Sequence, residues 1–194
     1  MRCFLNKNDR DGKVSYSIGV KYTNAAGEQK TGFIPVNISS KIEAPTKTEF
    51  VQINSFMLGV GANGTPKIII NNYEVVDNNT TKEPTGPIAR MWVNKNKFGF
   101  YQTSAKNEYN GSTTYANMSV NFGKCEAPET DSAFIAIKDA FFSGYDNKEG
   151  KYVPTLVITG YDRVSKTTTE APVVETPAVE ETAVDEEECP FDMD

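Results

Sequence analysis

The 194 residues contain no histidine. That excludes Ser-His-Asp and Cys-His catalysis, histidine metal sites and histidine general bases together. Three cysteines, Cys3, Cys125 and Cys189, are widely spaced and form no C-x-x-C, so neither a disulfide framework nor a structural zinc site is expected. Residues 59–64 spell G-x-G-x-x-G, but Thr65-Pro66 and a strand-like run follow where a dinucleotide site needs a helix. A hairpin loop is the expectation there, with no cofactor. No carboxylate pair, nucleophile–base pair or Walker lysine emerges, and a non-enzyme is expected.

The residue types that do recur in a pattern are aromatics interleaved with Arg, Lys and Asn. Arg2-Cys-Phe-Leu-Asn-Lys-Asn8 lines up with Arg90-Met-Trp-Val-Asn-Lys-Asn96. Strand alternation puts Cys3, Leu5, Met91 and Val93 on the core side. It puts Arg2, Phe4 and Asn6, and Arg90, Trp92 and Asn94, on the other side. Further along, Ile34, Val36 and Ile38 oppose Phe33, and Ala116, Met118, Val120 and Phe122 oppose Tyr115. Phe33 and Tyr115 are read as equivalent aromatics. Exposed rings among cations suit stacking of unpaired bases, which is worth roughly 1–3 kcal/mol per base and tolerates any sequence. The candidate nucleic-acid residues are therefore Phe4, Phe33, Trp92, Tyr101 and Tyr115. Lys7, Lys13, Lys21, Lys95, Lys97 and Lys106 are placed to follow phosphates. The bland alternative is that the rings cover a barrel end or pack between two units. Tyr16, Tyr22 and Phe122 share the core register and are expected to be structural.

The elements that must position these residues are strands. Five alternating runs precede residue 77 and five follow residue 89, with turn pairs such as Asp11-Gly12 and Asn110-Gly111 between them. The halves repeat one another. Glu43-Ala-Pro45, Phe50-Val-Gln-Ile53 and Tyr73 recur in order as Glu126-Ala-Pro128, Phe134-Ile-Ala-Ile137 and Tyr161. Five short strands in about 75 residues suit a small closed barrel such as the OB-fold; a single β-sandwich of ten strands is the competitor. The expected organisation is all-β: a first OB-like unit over 1–77, a linker over 78–89, a second OB-like unit over 90–164 and a disordered tail over 165–194.

Charge separates body from tail. Residues 165–194 carry ten acids and one base, a net −9, while the preceding 164 residues carry 19 bases and 16 acids, a net +3. The tail is Thr-, Glu-, Ala-, Pro- and Val-rich with no aromatic before Phe191, too little apolar surface to offset the entropy of ordering. No run approaches 18 apolar residues, and the first residues are too polar for a secretory signal. No membrane partner and a cytoplasmic setting are expected.

The tail's end, Asp185-Glu186-Glu187-Glu188-Cys-Pro190-Phe191-Asp192, resembles the C-terminal tip of bacterial and phage single-stranded DNA-binding proteins. The hairpin between Phe50-Val-Gln-Ile53 and Tyr73-Glu-Val-Val76 is similar to that family's last two strands. The resemblance implies an OB-fold body that coats single-stranded DNA. It also implies a tip that docks replication and recombination proteins through Glu186, Glu187, Glu188, Pro190 and Phe191. That family ends at the phenylalanine, whereas Asp192-Met193-Asp194 follow here, and Asp192 would stand in for the terminal carboxylate. The family has one barrel per chain and oligomerises; two units in one chain do the work of a dimer, with a homo-oligomer still open, and point to a phage or mobile-element version. The alternative function is a phage structural or interaction β-domain with a solubilising tail.

Overall fold

The computed structural model describes residues 1–77 and 85–164. It contains ten strands: β1 Arg2–Arg10, β2 Lys13–Thr23, β3 Gln29–Ile38, β4 Glu49–Val60, β5 Pro66–Val75, β6 Ala89–Lys95, β7 Tyr101–Tyr109, β8 Ser112–Asn121, β9 Ser132–Asp146 and β10 Tyr152–Arg163. They close into two barrels, in the order β1-β2-β3-β5-β4 and β6-β7-β8-β10-β9. β3 runs parallel to β5 and β8 parallel to β10; the other pairings are antiparallel. This is the OB arrangement twice over. Each half closes on itself, as the repeat predicts, and the single sandwich is not formed.

The turns have a local cause. At Asp11-Gly12 and Asn110-Gly111 both central residues take positive φ, at 53° and 74° and at 47° and 74°, the type I′ geometry whose twist matches the flanking strands. The β6–β7 connection is longer than the alternation suggests. Alternation alone predicts a strand from about residue 98, but β7 starts at Tyr101. The Asn96 side chain accepts from the Phe98 and Phe100 amides at 2.9 and 3.1 Å, and Gly99 sits at φ +82°. That side-chain turn consumes the residues that would have continued the strand.

The repeated Glu-Ala-Pro has a structural explanation. Tyr16 and Tyr101 donate their hydroxyls to the Pro45 and Pro128 carbonyls. Tyr73 and Tyr161 donate to the Glu43 and Glu126 carbonyls at 2.9 and 2.8 Å. Each unit thus ties the irregular segment after its third strand to the barrel through two tyrosine hydroxyls.

One apolar core runs through both barrels. Leu5, Ile18, Ile34, Ile53, Ile68 and Ile70 fill the first; Val93, Met118, Ile135, Ile137, Leu156 and Ile158 fill the second. Ile88 is fully buried and bridges them, donating its amide to Ile137 O at 2.7 Å and accepting from the Phe56 amide at 2.9 Å. The expected linker over 78–89 therefore ends in core residues, since β6 already begins at Ala89.

The barrels pack reciprocally. β2 meets β9 as β7 meets β4, and β3 meets β10 as β8 meets β5. With β2 equivalent to β7 and β4 to β9, this is the signature of a pseudo-two-fold contact, the intrachain counterpart of an isologous dimer. On one side Tyr152 plugs the end of the first barrel. Its ring packs on Tyr22 with centroids 5.0 Å apart, and Cβ atoms built on Gly32 and Gly144 would lie 2.4 and 2.2 Å from it. Asp146 accepts from the Tyr22 hydroxyl at 2.5 Å and pairs with Lys30 at 2.8 Å. On the other side the β4–β5 hairpin lies against β8, where a Cβ on Gly64 would sit 3.0 Å from Tyr115 O. The G-x-G-x-x-G letters therefore belong to a hairpin, as expected. Its short 3-10 turn spans Ala62–Gly64, with Asn63 at φ 55°.

Candidate nucleic-acid interface

Strand register arranges the outward side chains of each barrel in rows. In the first barrel Phe4 pairs with Phe50, their ring centroids 5.0 Å apart. The register from Leu5↔Ile18 brings Gly19 opposite Phe4, and Gly19 pairs with Phe33. A Cβ on Gly19 would lie 3.7 Å from the Phe33 ring and 3.3 Å from Asn6 Nδ2. The row Phe50–Phe4–Gly19–Phe33 is therefore a band of rings crossed by a side-chain-free gap. One level toward the second barrel lie Arg2, Lys21 and Thr31; one level away lie Asn6, Ser17 and Pro35.

The second barrel repeats the scheme. Trp92 pairs with Phe134, centroids 5.4 Å apart. On the same row Ser104 donates to Asn117 Oδ1 at 2.6 Å. Arg90, Lys106 and Tyr115 hold the cationic level, Lys106 being paired with both Tyr115 across the ladder and Glu108 in an ion pair. Asn94 and Gln102 hold the far level. Cation, ring, asparagine is thus the outward order along both β1 and β6.

Exposure follows the register. Phe4, Phe33, Trp92 and Tyr115 are 52%, 60%, 47% and 58% exposed. Half-bare rings gathered on one outward face of each barrel form an apolar surface of the kind that marks an interaction site. The electrostatics differ between barrels. The outward positions of β1, β2 and β3 are Arg2, Phe4, Asn6, Asn8, Arg10, then Lys13, Ser15, Ser17, Gly19, Lys21, Thr23, then Gln29, Thr31, Phe33, Pro35, Asn37. Four are cations and none is an acid. Lys13 and Lys21 are exposed and make no ion pair among the described residues. In the second barrel Glu108 partly neutralises Lys106, so the first face attracts phosphate more strongly.

Three expectations are corrected. Tyr101 does not face outward: it takes the place of Tyr16, stacks edge-on against Phe122 at 5.0 Å and donates to Pro128 O. Lys7 and Lys95 share the core-side register of Leu5 and Val93 and emerge at the barrel end instead of on the ring face. Lys7 donates to Thr46 O at 3.1 Å; Lys95 pairs with Asp131 at 3.0 Å and lies over the Tyr101 ring. The Asp131 hydrogen bond, then that of Tyr101, holds the Lys95 ammonium above the usual lysine range. Finally, Phe33 and Tyr115 are not equivalent. Tyr16↔Val36 and Gln102↔Ser119 place Asn117 at the Phe33 position and Thr31 at the Tyr115 position. The two aromatics share a face but sit one level apart.

Lys97 lies in the β6–β7 turn, its ammonium 5.1 Å over the Phe98 ring. Phe98 and Phe100, each 70% exposed, extend that turn. Sequence alternation points to neither, nor to the supporting rings Phe50 and Phe134, although these last two sit in the repeated segment itself. Burial pushes the pKa of the core-facing Cys3 thiol up to about 12, which disfavours the thiolate. The tip residues Glu186, Glu187, Glu188, Pro190, Phe191 and Asp192 lie outside the described residues.

No protein-family model matches the chain, and no curated protein matches it. Among solved structures, a deletion variant of the single-stranded DNA-binding protein from Thermus aquaticus aligns over 88% of this chain and 97% of its own. The TM-score is 0.31 and the identity 7%, a level at which the likeness carries no argument. The chain's own two faces are what its function must be read from.

Proposed function

We propose that this chain is a non-enzymatic single-stranded DNA-binding protein whose two OB barrels bind unpaired bases on their ring faces and phosphates on the flanking cations. The observation that supports it is the row Phe50–Phe4–Gly19–Phe33, bordered by Arg2 and Lys21 and free of acidic side chains, with its counterpart around Trp92 and Phe134. Stacking needs bases with free π-faces, so single strands are preferred over duplex. Phosphate neutralisation releases counterions, so affinity falls as salt rises. The test is titration of the full chain with oligo-dT and with duplex of equal length at two salt concentrations. Equal affinity for both would sink the stacking scheme.

The acidic tail has two proposed roles. Its net −9 charge, covalently linked to the cationic body, competes with DNA; removing residues 165–194 tightens binding at low salt and less so at high salt. Its tip recruits replication or recombination proteins, with the Phe191 ring as anchor and the flanking acids steering the encounter. Phe191→Ala removes those partners from a pull-down and leaves DNA affinity intact. Identical recovery by both proteins would reduce the tail to a solubility device.

A further inference from the structure

We propose that the two barrel faces take single-stranded DNA in opposite strand polarity, so that a strand running straight from one barrel to the other satisfies only one of them. The inference rests on the proposed single-strand binding and goes beyond it.

The two faces carry the same directional layout. On β1 the outward order is Arg2, Phe4, Asn6; on β6 it is Arg90, Trp92, Asn94. At about 3.3 Å per residue each run covers roughly 13 Å. Both runs begin at the junction between the barrels. Arg2 and Arg90 line a single cleft of about 950 Å³ there, together with Gln52 and its equivalent Ala136. The second and third strands agree. Tyr22, next to Lys21, meets Tyr152 of the second barrel, and the Tyr115 backbone meets Gly64 of the first. A path across both faces therefore reads asparagine, ring, cation, cleft, cation, ring, asparagine.

That layout is palindromic in space. A dimeric protein on duplex DNA meets a matching dyad, because the two strands are antiparallel. A single strand has no dyad; its 5′→3′ direction persists. The pseudo-two-fold relation of the barrels, read from the reciprocal contacts of β2 with β9 and β7 with β4, reverses any direction that runs along the line joining them. If the shared layout fixes one preferred direction on each face, the two preferences oppose each other along a straight path. A uniform strand must loop back to use both faces, at a cost that grows slowly with loop length. A strand whose polarity inverts at the cleft uses both directly and gains the effective concentration of the second site, which can raise affinity by about 10²–10⁴-fold.

The experiment uses the full chain and fluorescence anisotropy with three oligo-dT series of matched lengths: uniform polarity, a central 3′–3′ linkage, and a central 5′–5′ linkage. At the shortest length that spans both faces, one inverted series should bind at least about tenfold tighter than the uniform one. The advantage should shrink at longer lengths, where uniform strands can fold back, and should disappear in Trp92→Ala, which disables the second face. Uniform oligonucleotides binding as tightly as both inverted ones at every length would overturn the polarity inference while leaving single-strand binding in place. Failure of all three series to outcompete duplex would overturn the underlying reading instead.

Discussion

Replacing Phe4 by alanine separates what this ring does for the fold from what it does for DNA. Phe4 is 52% exposed and its ring packs on Phe50 at 5.0 Å. Losing its half-buried surface should cost about 1 kcal/mol of stability, and losing the ring pair about 0.5–1.5 kcal/mol more. Urea denaturation should therefore show a loss of roughly 1.5–2.5 kcal/mol with the slope unchanged. Loss of a stacked base should weaken oligo-dT binding by about 1–3 kcal/mol, or about 5- to 150-fold. Tyr101→Phe is the matched control. It removes one hydroxyl bond to Pro128 O, which should cost about 0.5–1.5 kcal/mol of stability and leave DNA affinity alone. A folded Phe4→Ala protein that binds oligo-dT as tightly as the parent would refute the assignment of the ring row, and the same variant losing no more affinity than Tyr101→Phe would do so equally.

Other expectations test separate parts of the account. Gly19→Val should fold, because only the Asn6 amide end and the Phe33 ring lie near its Cβ, yet its methyls displace Phe33 and should reduce oligo-dT affinity several-fold; unchanged affinity would place the bases elsewhere. Trp92 is the only tryptophan, so its emission should quench on saturation with oligo-dT, and an unchanged spectrum during demonstrated binding would remove it from the site. Gly32→Ala forces a methyl into the Tyr152 ring and should destabilise the protein by about 1–3 kcal/mol through overpacking, read by urea denaturation; a neutral result would mean that Tyr152 does not plug the first barrel. Lys30, then Tyr22, holds the Asp146 carboxyl below the usual aspartate range, and Asp146 in turn holds Lys30 and Tyr22 above theirs. The carboxylate's contribution is present above the ordinary aspartate pKa and is lost as pH falls through the lowered one; the contributions of Lys30 and Tyr22 are lost as pH rises through their raised values. Asp146→Asn should therefore lower the melting temperature near neutrality and flatten the melting profile at both extremes, and an unaltered profile would show the contact between barrels to be unimportant.

Much of the fold was legible because the sequence repeats itself. Alternation in residues 33–38 and 115–122 assigned core and surface, and the I′ turn pairs fixed hairpins at Asp11-Gly12 and Asn110-Gly111. What alternation cannot supply is register between strands. Phe33 and Tyr115 look equivalent when each is read against its own apolar face, and only the ladder shows them two residues out of step. Tyr101 departs from its expected face for a different reason. The repeat places it at Tyr16, which the core register marks as structural, but the Asn96 turn ends the hairpin arms early, so that Tyr101 follows Val93 more closely than Tyr16 follows Leu5 and a linear comparison hides the equivalence. Lys7 and Lys95 fell on the core-side register at a barrel end, where parity along the strand stops predicting burial. Phe50 and Phe134 could have been found, since each opens a repeated strand segment one position before a core residue. The pseudo-two-fold packing left a trace in no single segment; it arises from the Gly32, Gly64 and Gly144 contacts, whose partners lie in the other barrel or at the junction.

The central claim is that unpaired bases rest on the ring rows of both barrels. It is tested most directly by photo-cross-linking the full chain to oligo-dT substituted with 5-iododeoxyuridine and mapping the adducts by mass spectrometry. The account predicts adducts at Phe4, Phe33 and Phe50 and at Trp92, Phe134 and Tyr115, suppressed by excess unlabelled oligo-dT and not by duplex. Adducts confined to other surfaces, or formed equally well with duplex, would contradict it.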